Sequence, residues 1–469
     1  MKESNTNTDN SFQKYEENKM VVILKDSLDD YDCECLREKI NNEVKEQFKK
    51  EEKPEDEFAA FERDPSLSIE NIELWKNIKP DIVGRVIRSH TGANRVREGD
   101  FVFNYKNGFH EETAPENKEY ESLWVHAGQN TDPEEVLIAV LDTGVNREVI
   151  PEDYLWKMKI ENPETNEFQY VRGVNFLVEE QNKDQNLYGK YEINDDHKGS
   201  HGTLVNAMII EQFKAAGKSV KIMNLKTHNY NGEGNLFSMV CAIRFAEKHG
   251  AKIINASWGF YSNELDVLEP LKELITASLA KKGVVFVAAA GNASPLDDDI
   301  FLQNLNQKGG DARNLSDHHF FPAYFGFDLD ENKKNIIVVT TLSREGESRS
   351  VSLKQNYSSK VVDLGIVADQ SEGGLEKQVF KVPLKAKQNL LAKGNGQSNP
   401  LVFGSSFAAA KATGLIGANF KDIFLEESKV KTKHYLFQNE VAATLLSEDE
   451  QLIDKIIDGR YWENGAEIA

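Results

Sequence analysis

The sequence has little cysteine: Cys33, Cys35 and Cys241 are the only three. An odd count, with a Cys-x-Cys pair too close for common zinc-ligand spacing, excludes a disulfide framework and argues against a thiolate metal site. No run of about 18 apolar residues occurs, so no membrane-spanning helix is expected. The opening MKESNTNTDNSFQKYEENK lacks the apolar core of a secretory signal. Basic residues are outnumbered, 56 Lys and Arg against 77 Asp and Glu, for a net charge of −21. Nucleic-acid binders and proteins that dock on anionic membranes carry the opposite imbalance. We therefore expect a cytoplasmic protein of a reducing compartment, with no nucleic-acid or membrane partner and no metal or cofactor.

What is present suits a globular chain of more than one domain: 469 residues, 39% hydrophobic and 9% aromatic. Residues 1–19 read as a disordered tail. The region 20–125 reads as a small α+β unit: a strand at MVVILKDSL (20–28), a charged helix at 35–53, a helix at IENIELWKNI (69–78) and a strand at DFVFNY (100–105). Residues 116–134 read as a linker.

Over 130–469 the texture changes. The short apolar runs VLIAVL (136–141), KIMNLK (221–226), KIINAS (252–257), GVVFVAAA (283–290) and NIIVVTTL (335–342) alternate with helical patterns at 235–250 and 269–283. Leu236, Val240, Ile243 and Ala246 mark one apolar helix face, and Lys-His-Gly closes that helix. This rhythm predicts an α/β fold, a three-layer arrangement of a parallel sheet flanked by helices. Polar stretches near 156–195, 294–320 and 367–400 read as loop insertions, and 436–456 as a C-terminal helix. Residues 297–299, Asp-Asp-Asp, read as a solvated loop.

Four fragments carry chemistry. Asp142-Thr143-Gly144 ends the strand VLIAVL, where parallel sheets collect functional residues. His201 stands in Ser-His-Gly-Thr before an apolar helix. Asn292 follows the strand VFVAAAG. Ser406 opens a helix of small residues in GSSFAAA (404–410), where free N–H groups and the helix dipole favour a developing anion. Alone, each has an ordinary structural explanation: a strand-end turn, an incidental histidine, a turn asparagine, an N-cap serine. An aspartic protease would need a second Asp-Thr/Ser-Gly, and none occurs.

Taken in order, IAVLDTGV, SHGTLV, NASWG, VFVAAAGN and GSSFAAA resemble the subtilisin-like serine proteases, the subtilases, over roughly 135–425. The resemblance implies a subtilisin-like fold and a serine endopeptidase with Asp142, His201 and Ser406 as catalytic triad and Asn292 in the oxyanion hole. It implies that a polypeptide substrate adds as an extended strand between Ser257-Trp258-Gly259 and the edge at Gly232 and Gly234. Ala289, Ala290 and Gly291 then wall the pocket for the residue before the scissile bond (P1), and their small size implies room for a large side chain. Departures from the family pattern are Ser405 for Thr, Phe407 for Met, Ala410 for Pro and Leu204 for His. Phe407 is expected to crowd the site. The Asn/Gly-rich calcium loop of secreted relatives is missing after the His201 helix. The N-terminal region reads as an attached accessory or regulatory partner, or else as an inhibitory prodomain removed by self-cleavage. A different class of function is a subtilase-fold binding or regulatory module with little or no proteolytic activity.

Overall fold

A computed structural model of the chain describes residues 15–24, 30–50, 62–63, 72–76, 99–108, 120–122, 135–161, 168–177, 191–262, 268–293, 310–327, 335–345, 348–372, 377–386, 400–423 and 446–463. Its contacts divide the chain into two compact units, Met1–Lys106 with Asn235–Phe237, and Asn107–Gly234 with Ser238–Ala469.

In the first unit β1 (Tyr15–Leu24), β2 (Glu62–Arg63), β3 (Ile72–Lys76) and β4 (Gly99–Gly108) lie side by side in the order β2, β3, β1, β4. Helix α1 (Asp30–Lys50) buries Leu36, Ile40 and Val44, a stripe at one-turn spacing. The helix expected at 69–78 is instead strand β3. Ile72, Glu73, Leu74 and Trp75 are buried in succession, so both faces of this strand are covered, and it pairs on both edges, with β1 and β2. Glu73, buried among them, accepts from Trp75 Nε1 at 2.7 Å and lies 3.6 Å from Arg37 Nη1, so its charge is matched. Strand β1 also starts earlier than expected, inside the polar opening.

The second unit is built on a ten-stranded sheet. Its parallel body runs β24 (Arg460–Trp462), β18 (Leu364–Val367), β16 (Ile336–Glu345), β14 (Val285–Ala289), β12 (Ile253–Ala256), β6 (Val136–Asp142), β10 (Val220–Lys226) and β9 (Gly173–Asn175). Strands β17 (Ser348–Val351) and β23 (Ser447–Glu448) join antiparallel to β16 and β24. All five apolar runs expected as strands are strands. Alternation puts Ile138 and Val140 into the core beneath α2 (His201–Ala215) and α6 (Ser405–Ala418). Ala139 and Leu141, equally buried, face the other layer, flanked by α3 (Leu236–Lys248) and the helical stretch α4 (Glu269–Glu273) to α5 (Leu279–Lys281). A π-helical turn, Leu274–Ser278, interrupts that stretch.

Chain order reverses at β6: β9 and β10 lie on one side of it and β12, β14, β16 and β18 on the other. Such a switch opens a crevice at the carboxyl ends of the strands. Asp142 stands at that end of β6.

Several stretches read as loop or linker pair as strands. Tyr120–Ser122 (β5), inside the expected linker, pairs with β21 (Leu384–Ala386). Met158–Glu161 (β7) and Phe168–Val171 (β8) form a hairpin, and β20 (Lys377–Lys381) joins β19 (Gln370–Glu372) to β22 (Leu401–Phe403). The hairpin strands β7 and β8 are largely exposed, which is why their sequence reads as loop. In the stretch read as a C-terminal helix, the described part holds β23 and a short 3-10 turn, Glu450–Leu452. The Asp-Asp-Asp stretch at 297–299 lies outside the described residues.

Candidate active site

Asp142 and His201 are brought together by two elements that meet at the crevice. Strand β6 delivers Asp142 to its carboxyl end, and His201 is the first residue of α2. The imidazole Nδ1 lies 2.8 Å from Asp142 Oδ1, across 59 positions of sequence. Both side chains are almost fully buried, 1% and 0% exposed. Burial alone would raise the Asp142 pKa; the charge and hydrogen bond of His201, with His228 and the Thr143 N–H, outweigh it and hold the carboxyl below its usual range. An ionised Asp142 only accepts, so His201 Nδ1 carries the proton and its Nε2 presents a lone pair.

The closeness of β6 and α2 depends on Gly202. A Cβ there would stand 2.3 Å from the Gly144 carbonyl oxygen. Thr143 Oγ1 accepts from the Gly202 N–H at 2.9 Å and donates to Asp195 Oδ1 at 2.8 Å. The other Asp195 oxygen accepts from Thr203 N at 2.8 Å and Thr203 Oγ1 at 2.6 Å. A second, half-buried carboxylate thus stitches the Asp142 turn to the His201 helix. Burial raises the pKa of Asp195, and the hydrogen bonds from Thr203 and Thr143 offset this only in part.

Two further histidines stand nearby. His197 Nδ1 accepts from the N–H groups of Gly199 (3.2 Å) and His201 (3.4 Å), which shapes the turn in which Ser200 takes a left-handed φ of 51°. Burial, reinforced by the His201 charge, pushes the His197 pKa down to about 4. His228, beyond β10, donates its backbone N–H to the Asp142 carbonyl at 3.3 Å. Burial pushes its pKa down to about 3. Both rings are neutral at neutral pH.

Ser406 is the second residue of α6, an all-buried helix whose small side chains let it lie against α2 and the sheet. Its Oγ donates to the Ser257 carbonyl at 2.9 Å, and no bond joins it to His201. Ser257 Oγ in turn donates to the Ser406 carbonyl at 2.8 Å and accepts from Asn255 Nδ2 at 2.9 Å, while Thr413 Oγ1 donates to Asn255 Oδ1 at 2.8 Å. This chain locks α6 to the end of β12. The Phe407 ring lies tilted against the His201 imidazole, with centroids 5.1 Å apart.

Asn292 follows β14. Its Oδ1 accepts from the Ser405 N–H at 3.1 Å, which leaves the amide NH₂ as the donor end of the group. Ser405 Oγ accepts from Gly291 N at 3.0 Å, and Asn356 Nδ2 donates to the Ala290 carbonyl at 2.9 Å, bracing the same strand end from behind. Asn292, Ser405 and Ser406 therefore form one assembly.

The residues expected to bind substrate end neighbouring strands. Ser257, Trp258 and Gly259 follow β12; Ala289, Ala290 and Gly291 end and follow β14. Gly234, in the short strand β11 (Glu233–Asn235), bridges to His228, and Gly232 takes a φ of +78° in the preceding turn. The Trp258 side chain is turned inward, 2% exposed, with its ring 6.2 Å from that of His228. Sequence reading missed Asp195, Ser405, Asn255, Thr413 and Asn356. The only signal for Asp195 was an acidic residue close before Ser-His-Gly-Thr. Among the described residues no group of three His, Cys, Asp or Glu side chains could hold a metal ion.

Comparison with known proteins agrees with this architecture. Residues 134–447 match the model of the subtilase family. Subtilisin-like protease 3 of Plasmodium falciparum is 24% identical over 230 residues, covering 47% of this chain and 25% of that protein. Pyrolysin of Pyrococcus furiosus is 33% identical over 75 residues, 16% of this chain and 5% of that protein. The chain thus spans a quarter or less of the curated relatives it matches. The crystal structure of fervidolysin from Fervidobacterium pennivorans, a keratinolytic enzyme related to subtilisin, superposes with a TM-score of 0.53 at 16% identity, covering 96% of this chain and 60% of that one, a likeness of fold. A family match over residues 134–447, most of the chain, means that this chain belongs to the subtilase family.

Proposed function

We propose that the chain is a cytoplasmic serine endopeptidase that cleaves peptide bonds through an acyl-enzyme, with Asp142, His201 and Ser406 as its triad. The observation that carries this reading is the buried 2.8 Å contact between Asp142 and His201. It fixes the tautomer a general base needs. Ser406 Oγ turns from the Ser257 carbonyl to His201 Nε2, gives up its proton and attacks the scissile carbonyl. His201 then returns that proton to the leaving amine, with Asp142 stabilising the imidazolium. The Asn292 amide and the N–H groups at the start of α6 hold the oxyanion. Water, deprotonated by the same histidine, releases the acyl group.

The substrate enters as an extended strand along Ser257–Gly259, with Gly232 and Gly234 on its other side. The N-terminal unit acts as an attached regulatory partner. A reducing location is supported by the cysteine count.

One observation favours a second reading, a binding module with little activity: the Ser406 hydroxyl is bonded to Ser257 and not to His201. A fluorophosphonate probe separates the two. The wild-type protein should be labelled and Ser406→Ala should not. Equal labelling of both, or of neither, would sink the protease reading. Intact masses of the same samples show whether the N-terminal unit stays attached; a wild-type chain shortened there, beside a full-length Ser406→Ala, means self-removal.

A further inference from the structure

The two glycines that follow the reaction centre on either side converge on one aromatic ring. A Cβ on Gly259 would lie 2.2 Å from Phe320 Cζ and 2.3 Å from its Cε1. A Cβ on Gly291 would lie 2.8 Å from Cδ1 and Cε1 of the same ring. Phe320 therefore fills the space between the segments that end β12 and β14. It is 3% exposed. Pairing of β13 (Phe260–Tyr261) with β15 (Phe320–Phe321) holds it there, and the Tyr261 ring meets it edge-on at 4.9 Å. Tyr261 also donates its hydroxyl to the Asn292 carbonyl at 2.8 Å, so the aromatic plug and the oxyanion residue move as one body.

The location decides what the plug does. A peptide attacked by Ser406 presents its scissile carbonyl oxygen to Asn292. The N–H of the same residue has the Ser257 carbonyl as its nearest acceptor, since that oxygen is 2.9 Å from Ser406 Oγ. With one backbone group on each segment, the side chain of that residue projects into the gap between them, where Gly259 and Gly291 face each other. Phe320 already occupies it. Close-packed interiors do not yield such volume cheaply.

We propose that Phe320 is the specificity-determining residue of this protein and restricts cleavage to bonds that follow glycine, alanine or serine. This replaces the roomy pocket that Ala289, Ala290 and Gly291 imply when considered alone. It rests on the protease reading.

The test uses the full chain and peptides identical except for Gly, Ala, Ser, Leu, Phe or Arg before the scissile bond. Wild type should cleave after the three small residues at least ~100-fold faster than after the others, the discrimination open to a steric pocket. Phe320→Gly should raise the ratio of cleavage after Leu and Phe to cleavage after Ala at least ~10-fold. Labelling by peptidyl diphenyl phosphonates built on alanine or phenylalanine reads the same ratio without turnover. Should Phe320→Gly lose its cooperative melt, Phe320→Ala and the wild-type ratio carry the test. A wild-type preference for a large residue, a profile unmoved by the substitution, or labelling by neither phosphonate overturns the proposal. Where the fluorophosphonate also fails to label, the protease reading falls with it; where it labels, only the pocket assignment falls.

Discussion

Thr143 Oγ1 lies 2.8 Å from Asp195 Oδ1 and thereby ties the turn that carries Asp142 to the loop that precedes His201. Asp195 accepts four hydrogen bonds, from Thr143, from the backbone N–H of His197 and from the backbone and hydroxyl of Thr203. Asp195→Ala strands four donors in a partly buried place, where each unsatisfied group costs up to about 1–3 kcal/mol. We expect it to lower the melting temperature and slow fluorophosphonate labelling together. Asp195→Asn, which keeps one acceptor oxygen, should fall between. A melt and labelling rate equal to wild type for Asp195→Ala would show that the clamp does not matter.

Asp142→Asn keeps the shape of the site but no longer requires the proton on His201 Nδ1. Turnover should fall by about 10⁴ while affinity for a small-residue peptide changes little. Stopped-time peptide assays and isothermal titration measure the two separately. A parallel loss of binding would mean that Asp142 supports the architecture more than the chemistry.

The Asn292 amide is held by its neighbour Ser405. In a subtilisin, losing the oxyanion asparagine costs about 10²–10³ in turnover, and Asn292→Ala should do the same here with KM nearly unchanged. Ser405→Ala removes the acceptor of the Gly291 N–H but leaves the backbone bond to Asn292 Oδ1 intact. Its effect on kcat should therefore be the smaller of the two. The reverse order would place the oxyanion donor elsewhere.

Stability should depend on pH through two histidines. The His228 pKa is pushed from 6.5 to about 3 and that of His197 to about 4. Below pH 6.5 the unfolded chain takes up protons that the folded chain refuses, so stability falls as pH drops and the loss levels off only below these depressed values. The slope is about 1.4 kcal/mol per pH unit for each such proton. Urea midpoints between pH 7 and pH 4.5 measure it. His228→Gln should flatten the slope; an unchanged slope would acquit His228.

Lys411, on α6, has a side chain 5% exposed and lies 2.7 Å from Asp369 Oδ1. The Phe380 ring stands 5.1 Å from its Nζ. Lys411→Met removes the cation beside Asp369, which keeps its hydrogen bond from the Lys381 N–H, and should lower the urea midpoint. Lys411→Met with Asp369→Asn should recover part of that loss. No recovery would mean that the lysine stabilises through packing of its stem.

Much of this protein is local in origin and so was legible in its residues. Apolar runs of strand length bounded by turns placed β6, β10, β12, β14 and β16. Asp142, His201, Asn292 and Ser406 each stood at an element end, which is where parallel sheets expose chemistry. The strand at Ile72–Lys76 was misread because Ile72, Leu74 and Trp75 suit a buried strand and a buried helix alike, and its neighbours decide between them.

Only the tertiary structure could decide which distant groups interlock. Asp195 meets Thr143, Thr413 meets Asn255, and the Phe320 ring fills the gap between Gly259 and Gly291. Such pairings depend on how crossover helices bring strand ends side by side, and no local periodicity encodes them. The sequence alone therefore determined the family and the order of the strands along the chain, and it named the groups proposed to react. The packing determined where the Ser406 hydroxyl points and how much room is left beside it, because both are properties of the space between elements.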